Sequence, residues 1–283
     1  MGLKLTLLGN GSVAHLHGTR VALPANAWPL LGYLLALPVR EAHRDLLAET
    51  LWPDHDRSAA RHCLATVLWR IKTAFGRRCT PLAVTCEQVA FAPPPGIRVW
   101  VDTIAFDRRL RPLLDRPDAS LDLVACRRLR RALAAYRGDF LPETGAEWAM
   151  LERERLRAVW LDALYALARA FARLDDWCAA IALARTLCAA EPLREDAHRL
   201  LMAAYARGGN RALALRQFRV CAQVLSRELG IEPMEQTVAL HRSLSARLVH
   251  LSDRPLEQRE LLVCAWESMR AALRAIETVI AEP

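Results

Sequence analysis

The sequence is poor in the features that mark several large functional classes. Lys4 and Lys72 are its only lysines, and neither follows a glycine. That removes the phosphate-gripping lysine of a P-loop, and with it ATP hydrolysis by that route. No GxSxG elbow and no HExxH pair is present, so neither the serine-hydrolase nor the zincin arrangement is expected. The eight cysteines never fall in a CxxC pair, and structural zinc needs ligands clustered at short spacings. Neither Cys79/Cys86 nor His15/His17 has a second matching pair. No apolar run reaches the length of a membrane span, and the N-terminus lacks the apolar stretch and cleavage site of a signal peptide. These absences predict a cytoplasmic protein that is not an enzyme, with no catalytic residue, no cofactor and no metal.

What is present begins with size. The 283 residues are 53% hydrophobic, enough to bury the cores of two domains. Formal net charge is +8, and arginine carries nearly all the basic charge. Its distribution is more telling than its sum. From Arg57 to Cys86 there is no acidic residue, while Arg57, Arg61, Arg70, Lys72, Arg77 and Arg78 all fall in that segment. Such a local basic patch is an electrostatic footprint for phosphates.

Glycines punctuate short apolar runs over residues 3 to 24, in the order LKLTLLG, SVAHLHG and TRVALP, which predicts three short strands. LLGNGSVA meets the G-x-G-x-x-[G/A] spacing of a dinucleotide fingerprint. That fingerprint needs a helix directly after it, whereas HLHGTRVALP reads as another strand pair, so a hairpin turn is expected. A helix is predicted over Ala27 to Leu37, with Pro29 in its first turn and Pro38 ending it, and a second from near His43 to the stop at Pro53. Ser58 is a good N-cap for a third helix running to Phe75. PLAVTC and VAFAP then read as a hairpin with Glu87 and Gln88 between its strands.

Strands, three helices and a hairpin are the order of a winged helix-turn-helix with an added N-terminal sheet, in which the third helix faces DNA. Projected at 100° per residue, Ala60, Leu64, Val67, Leu68, Ile71 and Phe75 form its apolar stripe. The opposite side carries His62, Thr66, Trp69, Arg70 and Thr73, flanked by Arg61 and Lys72. Arg70 can offer paired donors to guanine, Thr66 and Thr73 can hydrogen-bond or touch a thymine methyl, and Ala65 leaves room for a base edge. Arg57, Arg61, Lys72, Arg77 and Arg78 are the phosphate anchors. Trp69 has two readings, packing against the hairpin or sheet and contact with DNA.

Past Pro93, Pro94, Pro95 and Gly96 the composition turns to nearly unbroken helix rich in Ala, Leu and Arg. The expected domains are therefore 1–99, a winged helix DNA-binding domain; 100–250, a tetratricopeptide-like domain; and 251–283, an amphipathic C-terminal helix. Phe171 with Tyr205, Asp175 with Gly209, Ala180 with Ala214 and Ala184 with Phe218 recur at a 34-residue interval, the tetratricopeptide period. Helices at 119–136 and 147–173 extend the same solenoid, a form that presents a concave surface to protein partners. In the last segment Leu262, Trp266, Met269, Leu273, Ile276 and Ile280 make a heptad seam. It suits a dimer contact or a capping helix folded back on the last repeat.

Four stretches together resemble the Streptomyces antibiotic regulatory protein (SARP) type of bacterial transcriptional regulator: HRDLLAETLWPD; PPPGIRVWVDTIAFDRRL; YRGDFLP followed by EWAMLERERLR; and GGNRALALRQFRVCAQVLSRELGIEP. The resemblance covers about 250 residues. It implies a mostly α protein, with an N-terminal winged helix-turn-helix of the OmpR-like α+β kind followed by an all-α, tetratricopeptide-like bacterial transcriptional activator domain. It further implies that the third helix enters the major groove of double-stranded DNA and that the hairpin around Gln88 approaches the neighbouring minor groove or backbone. The helical domain would support a homodimer and contact RNA polymerase, with an activating effect. The sequence departs from the family pattern at Asn26 to Trp28, at Ala65 and at Glu87, where members often carry basic residues. The ATPase region of larger relatives is missing from it. The reading from another class is a tetratricopeptide adaptor whose winged helix no longer reads DNA.

Overall fold

The structure is a computed structural model and describes residues 2–115 and 121–246. The chain forms two compact units, Met1–Ala119 with Arg127–Ala163, and Ser120–Cys126 with Leu164–Pro283. In the first unit β1 (Gly2–Thr6), β2 (Val13–Leu16) and β3 (Thr19–Val21) form an antiparallel meander. The helices α1 (Ala27–Ala36), α2 (Arg44–Leu51) and α3 (Arg57–Phe75) follow. A short β4 (Glu41–His43) lies between the first two helices, and the hairpin of β5 (Leu82–Val84) and β6 (Gln88–Phe91) follows the third. β4 joins that hairpin in the order β4-β6-β5. β7 (Arg98–Val101) returns parallel to β1, completing a sheet of order β3-β2-β1-β7.

Alternation explains which side of this sheet is core. Leu3 and Leu5 are buried while Lys4 between them is exposed, the period-2 signature of a strand with one covered face. All six stripe residues of α3, Ala60, Leu64, Val67, Leu68, Ile71 and Phe75, are buried, so the projected apolar face is the packed one. The helix begins two residues earlier than a cap at Ser58 would set it. Asp56 is the N-cap, its Oδ1 accepting from the backbone N–H of Ser58 and Ala59 at 2.9 Å each. A carboxylate there satisfies two orphan donors and places negative charge at the positive helix end, which a serine hydroxyl cannot match.

LLGNGSVA is a site of close chain approach. A Cβ on Gly9 would lie 3.1 Å from the Arg137 carbonyl oxygen, and one on Gly138 would lie 3.1 Å from the Gly9 Cα. Only glycines let the segment YRGDFLP pass there. Gly9 N–H donates to the Asp139 carbonyl at 3.0 Å and Leu141 N–H to that of Leu7 at 3.1 Å, and Arg153 clamps the carbonyls of Phe140, Leu141 and Thr144. These contacts put the segment before α6 (Glu147–Arg173) in the first unit. Compactness thus divides the chain later than the composition change at 93–96, and α4 (Asp102–Leu114) also packs with the sheet.

The second unit shows the 34-residue period in its backbone. Asp175 and Gly209 both have positive φ, 56° and 80°. Asp176 and Asn210, the next pair, cap α7 (Trp177–Ala190) and α9 (Arg211–Leu229), accepting from Ala179 N–H at 3.0 Å and Leu213 N–H at 3.1 Å. Phe171 and Tyr205 are buried at the corresponding helix ends, as are Ala180 and Ala214. α8 (Glu195–Arg207) packs between α7 and α9, and α10 (Glu235–Ala246) closes the series. Glu195 accepts from Met234 N–H and Thr237 Oγ1, at 2.9 and 2.6 Å, tying α8 to α10. α5 (Leu123–Leu133) and α6 each contribute residues to both units.

His198 gives this unit a pH dependence. It is 1% exposed; its Nε2 donates to the Pro192 carbonyl at 2.9 Å and its Nδ1 accepts from Gln217 Nε2 at 2.8 Å. Both positions are filled by the neutral ring, and burial lowers its pKa from the ordinary 6.5. Below about pH 6.5 the unfolded chain therefore binds a proton that the folded chain refuses, and stability falls as pH falls. The loss should approach 1.4 kcal/mol per pH unit at most. Urea midpoints of the wild type measured from pH 7.5 to 5.5 should show this slope, and His198→Gln should flatten it.

Candidate nucleic-acid interface

α2 and α3 form the helix-turn-helix pair, joined across Trp52 to Asp56. Burial of the α3 stripe turns the other side outward. Arg61, His62, Ala65, Trp69, Arg70, Lys72 and Thr73 are exposed, and Thr66 is half-exposed. Trp69 is 65% exposed, which decides between its two readings as far as packing is concerned: the indole lies outside the core. Thr73 donates its hydroxyl hydrogen to the Trp69 carbonyl at 2.9 Å, leaving an acceptor facing out. Lys72 lies in the last turn, and Arg77 and Arg78 are exposed in the turn after Gly76.

Arg57 and Arg61 are held from α2. Asp45 Oδ1 accepts from Arg61 Nε and its Oδ2 from Arg61 Nη2 and Arg57 Nη2, all at 2.7 Å. Hydrogen bonds from Arg61 first, then Arg57, hold the Asp45 carboxyl well below the usual carboxylate range, so the clamp stays ionised at any working pH. No local pattern in the sequence signals it, because Asp45 precedes its partners by 12 and 16 residues. Asp45→Asn should free both guanidiniums. Binding to scrambled duplex DNA should tighten several-fold at low salt, with log K against log salt steeper by about 1, as read by fluorescence anisotropy.

The hairpin is tied to the same helix. Arg44 N–H donates to the Glu87 carbonyl at 2.8 Å and Arg44 Nη1 to that of Thr85 at 3.1 Å. Gln88 is not at the hairpin tip: it is the first residue of β6 and pairs with His43 of β4, because Thr85 closes the turn through bonds with Gln88. Cys86 and Glu87 occupy the exposed tip. The seam residues Leu262, Trp266, Met269, Leu273, Ile276 and Ile280 lie outside the described residues. Among the described residues no group of three or more His, Cys, Asp or Glu could hold a metal ion, and no helix is long and apolar enough to cross a membrane.

A winged helix followed by stacked helical hairpins is the architecture of bacterial regulators that join a DNA-binding head to a helical activator module. Residues 101–245 match the family described as bacterial transcriptional activator domain. The chain belongs to that family. It is 30% identical over 207 residues to the regulatory protein AfsR of Streptomyces coelicolor, covering 72% of this chain and 20% of AfsR. The chain thus spans about a fifth of the length of that relative. In fold it is similar to Mycobacterium tuberculosis EmbR, solved in complex with a low affinity phosphopeptide, at a TM-score of 0.72 and 21% identity. The similarity covers 98% of this chain and 70% of that one.

Proposed function

We propose that the chain is a sequence-specific transcriptional regulator that reads double-stranded DNA with the outer face of α3. The observation that carries this reading is the exposed, acid-free surface of that helix, where Trp69, Arg70 and Thr66 stand clear of the core while every apolar stripe residue is buried. In this reading Arg70 reads a base pair, and Lys72, Arg77 and Arg78 hold phosphates together with Arg57 and Arg61, which hydrogen-bond to Asp45. His62, Ala65 and Thr73 complete the reading face, and Gln88 flanks the hairpin tip as the first residue of β6.

Family membership and the likeness to AfsR support an activator acting in the cytoplasm. In this reading it binds repeated promoter sites as a homodimer and contacts RNA polymerase through its helical domain. The proposed division of labour keeps residues 1–99 for DNA, 100–250 for the activator module and 251–283 for the seam. The test is fluorescence anisotropy of the full chain against promoter fragments near its own gene and a scrambled control across a salt series. Tight, sequence-dependent binding with a steep salt slope is expected. Equal, weak binding to both, vanishing by moderate salt, would overturn the reading.

A further inference from the structure

The outer face of the β3-β2-β1-β7 sheet is as unusual in charge as α3, and the DNA-reading function does not use it. Strand register sets its side chains in two rows: Trp100, Lys4 and His15 lie side by side across β7, β1 and β2. Two residues along, Arg98 is paired with Gly2, and His17 donates its backbone N–H to the Gly2 carbonyl. These six residues line an open cleft of about 780 Å³. Gly2, without a side chain, leaves the hollow at its centre.

The groups around the hollow are donors without counter-charges. Lys4 and Arg98 are exposed and make no ion pair among the described residues. Lys4 Nζ sits 5.1 Å from the centre of the Trp100 ring. His17 Nδ1 accepts from Gly2 N–H at 3.2 Å, which puts the proton of the neutral ring on Nε2, free to donate. His15 Nδ1 is buried without a hydrogen-bond partner and is closed to a ligand in the cleft, which leaves Nε2 as the ring nitrogen that can donate there. The sequence supplies no carboxylate here: there is none from Met1 to Arg40, and none from Gln88 to Val101.

Sheets ordinarily set opposite charges across from one another, and like charges facing one another cost stability. Basic residues on a sheet often protect an edge from pairing with another chain. That role could fall to Arg98 on the outer strand β7, but Lys4 and His15 sit on β1 and β2, which have neighbours on both sides. Strand spacing of about 4.8 Å and about 6.7 Å between same-face residues give the hollow a span of roughly 7 by 10 Å. That is the reach of a short phosphate chain. A DNA duplex calls for a continuous track of cations, whereas here they ring a hollow.

We propose that this face binds a small anion carrying a pyrophosphoryl group, with Lys4 and Arg98 neutralising its charge and His15 and His17 donating to its oxygens. The site stands apart from the DNA-reading function. The test is titration of the full chain with sodium pyrophosphate, followed by calorimetry and by side-chain nitrogen NMR of the histidines. Saturable binding that shifts His15 and His17 is expected. Lys4→Ala and Arg98→Ala should each weaken it roughly tenfold, and the double variant should lose it with an unchanged thermal melt. Arg70→Ala should bind pyrophosphate like the wild type. The proposal is overturned if sodium chloride at matched ionic strength gives the same shifts, or if the double variant binds as well as the wild type. It is equally overturned if scrambled duplex DNA, and not pyrophosphate, moves the two histidines.

Discussion

Asp102→Ala is expected to lower the stability of the first unit by roughly 3 kcal/mol, a large effect for one polar side chain. Asp102 is 2% exposed. Its Oδ2 accepts from the N–H groups of Leu7 and Leu8, at 2.8 and 2.9 Å, and its Oδ1 from Thr103 N–H at 2.8 Å. Alanine strands these donors, two of them at the end of β1, and each buried unsatisfied group costs about 1–3 kcal/mol. The net figure is smaller than that sum because the native carboxylate is itself strained by desolvation. Burial, acting against the three N–H groups, raises its pKa above the ordinary 3.8, and alanine removes that penalty. Asp102→Asn keeps one acceptor and should lose about half as much. Urea unfolding followed by tryptophan fluorescence measures both. A loss below about 1 kcal/mol for alanine would mean that water reaches the stranded donors and that this joint is not what fastens α4 to the sheet.

That joint also shows what the sequence could and could not convey. The apolar stripe of α3, the three opening strands and the 34-residue period are local periodicities, and each is found where the pattern places it. The N-cap at Asp56, one position before the helix, was within reach, since aspartate caps as well as serine. β7 and β4 were harder. Each is very short and becomes a strand because a neighbour, β1 or β6, offers a free edge, a condition no window of sequence contains. The Asp45 clamp and the passage of Arg137 to Phe140 over Gly9 are likewise tertiary. Resemblance to the family marked HRDLL, VWVD and YRGDFLP as a set, and the structure supplies their physics: Asp45 orients two arginines, Asp102 fastens a helix to a strand end, and Gly138 permits a close crossing.

Arg70→Ala should weaken binding to the preferred site by roughly 1–3 kcal/mol, about 5- to 150-fold, if its guanidinium makes a paired contact to a guanine. Binding to scrambled duplex should change far less, by the loss of one positive charge. The asymmetry is the point of the experiment. Arg70 is exposed, on the side of α3 away from Leu64, Leu68 and Ile71, so its removal leaves the core intact and the thermal melt should not move. Arg77→Ala, in the turn beyond the helix, is the opposing case: as a phosphate anchor it should weaken specific and scrambled binding alike and reduce the salt slope by about 1. Thr66→Ala, half-exposed on the same face, should alter the preference at one base pair more than the overall affinity. If Arg70→Ala and Thr66→Ala leave the specific-to-scrambled ratio unchanged while Arg77→Ala weakens both, the helix attracts phosphates without reading bases. The adaptor reading would then account for the winged helix better than the regulator reading does.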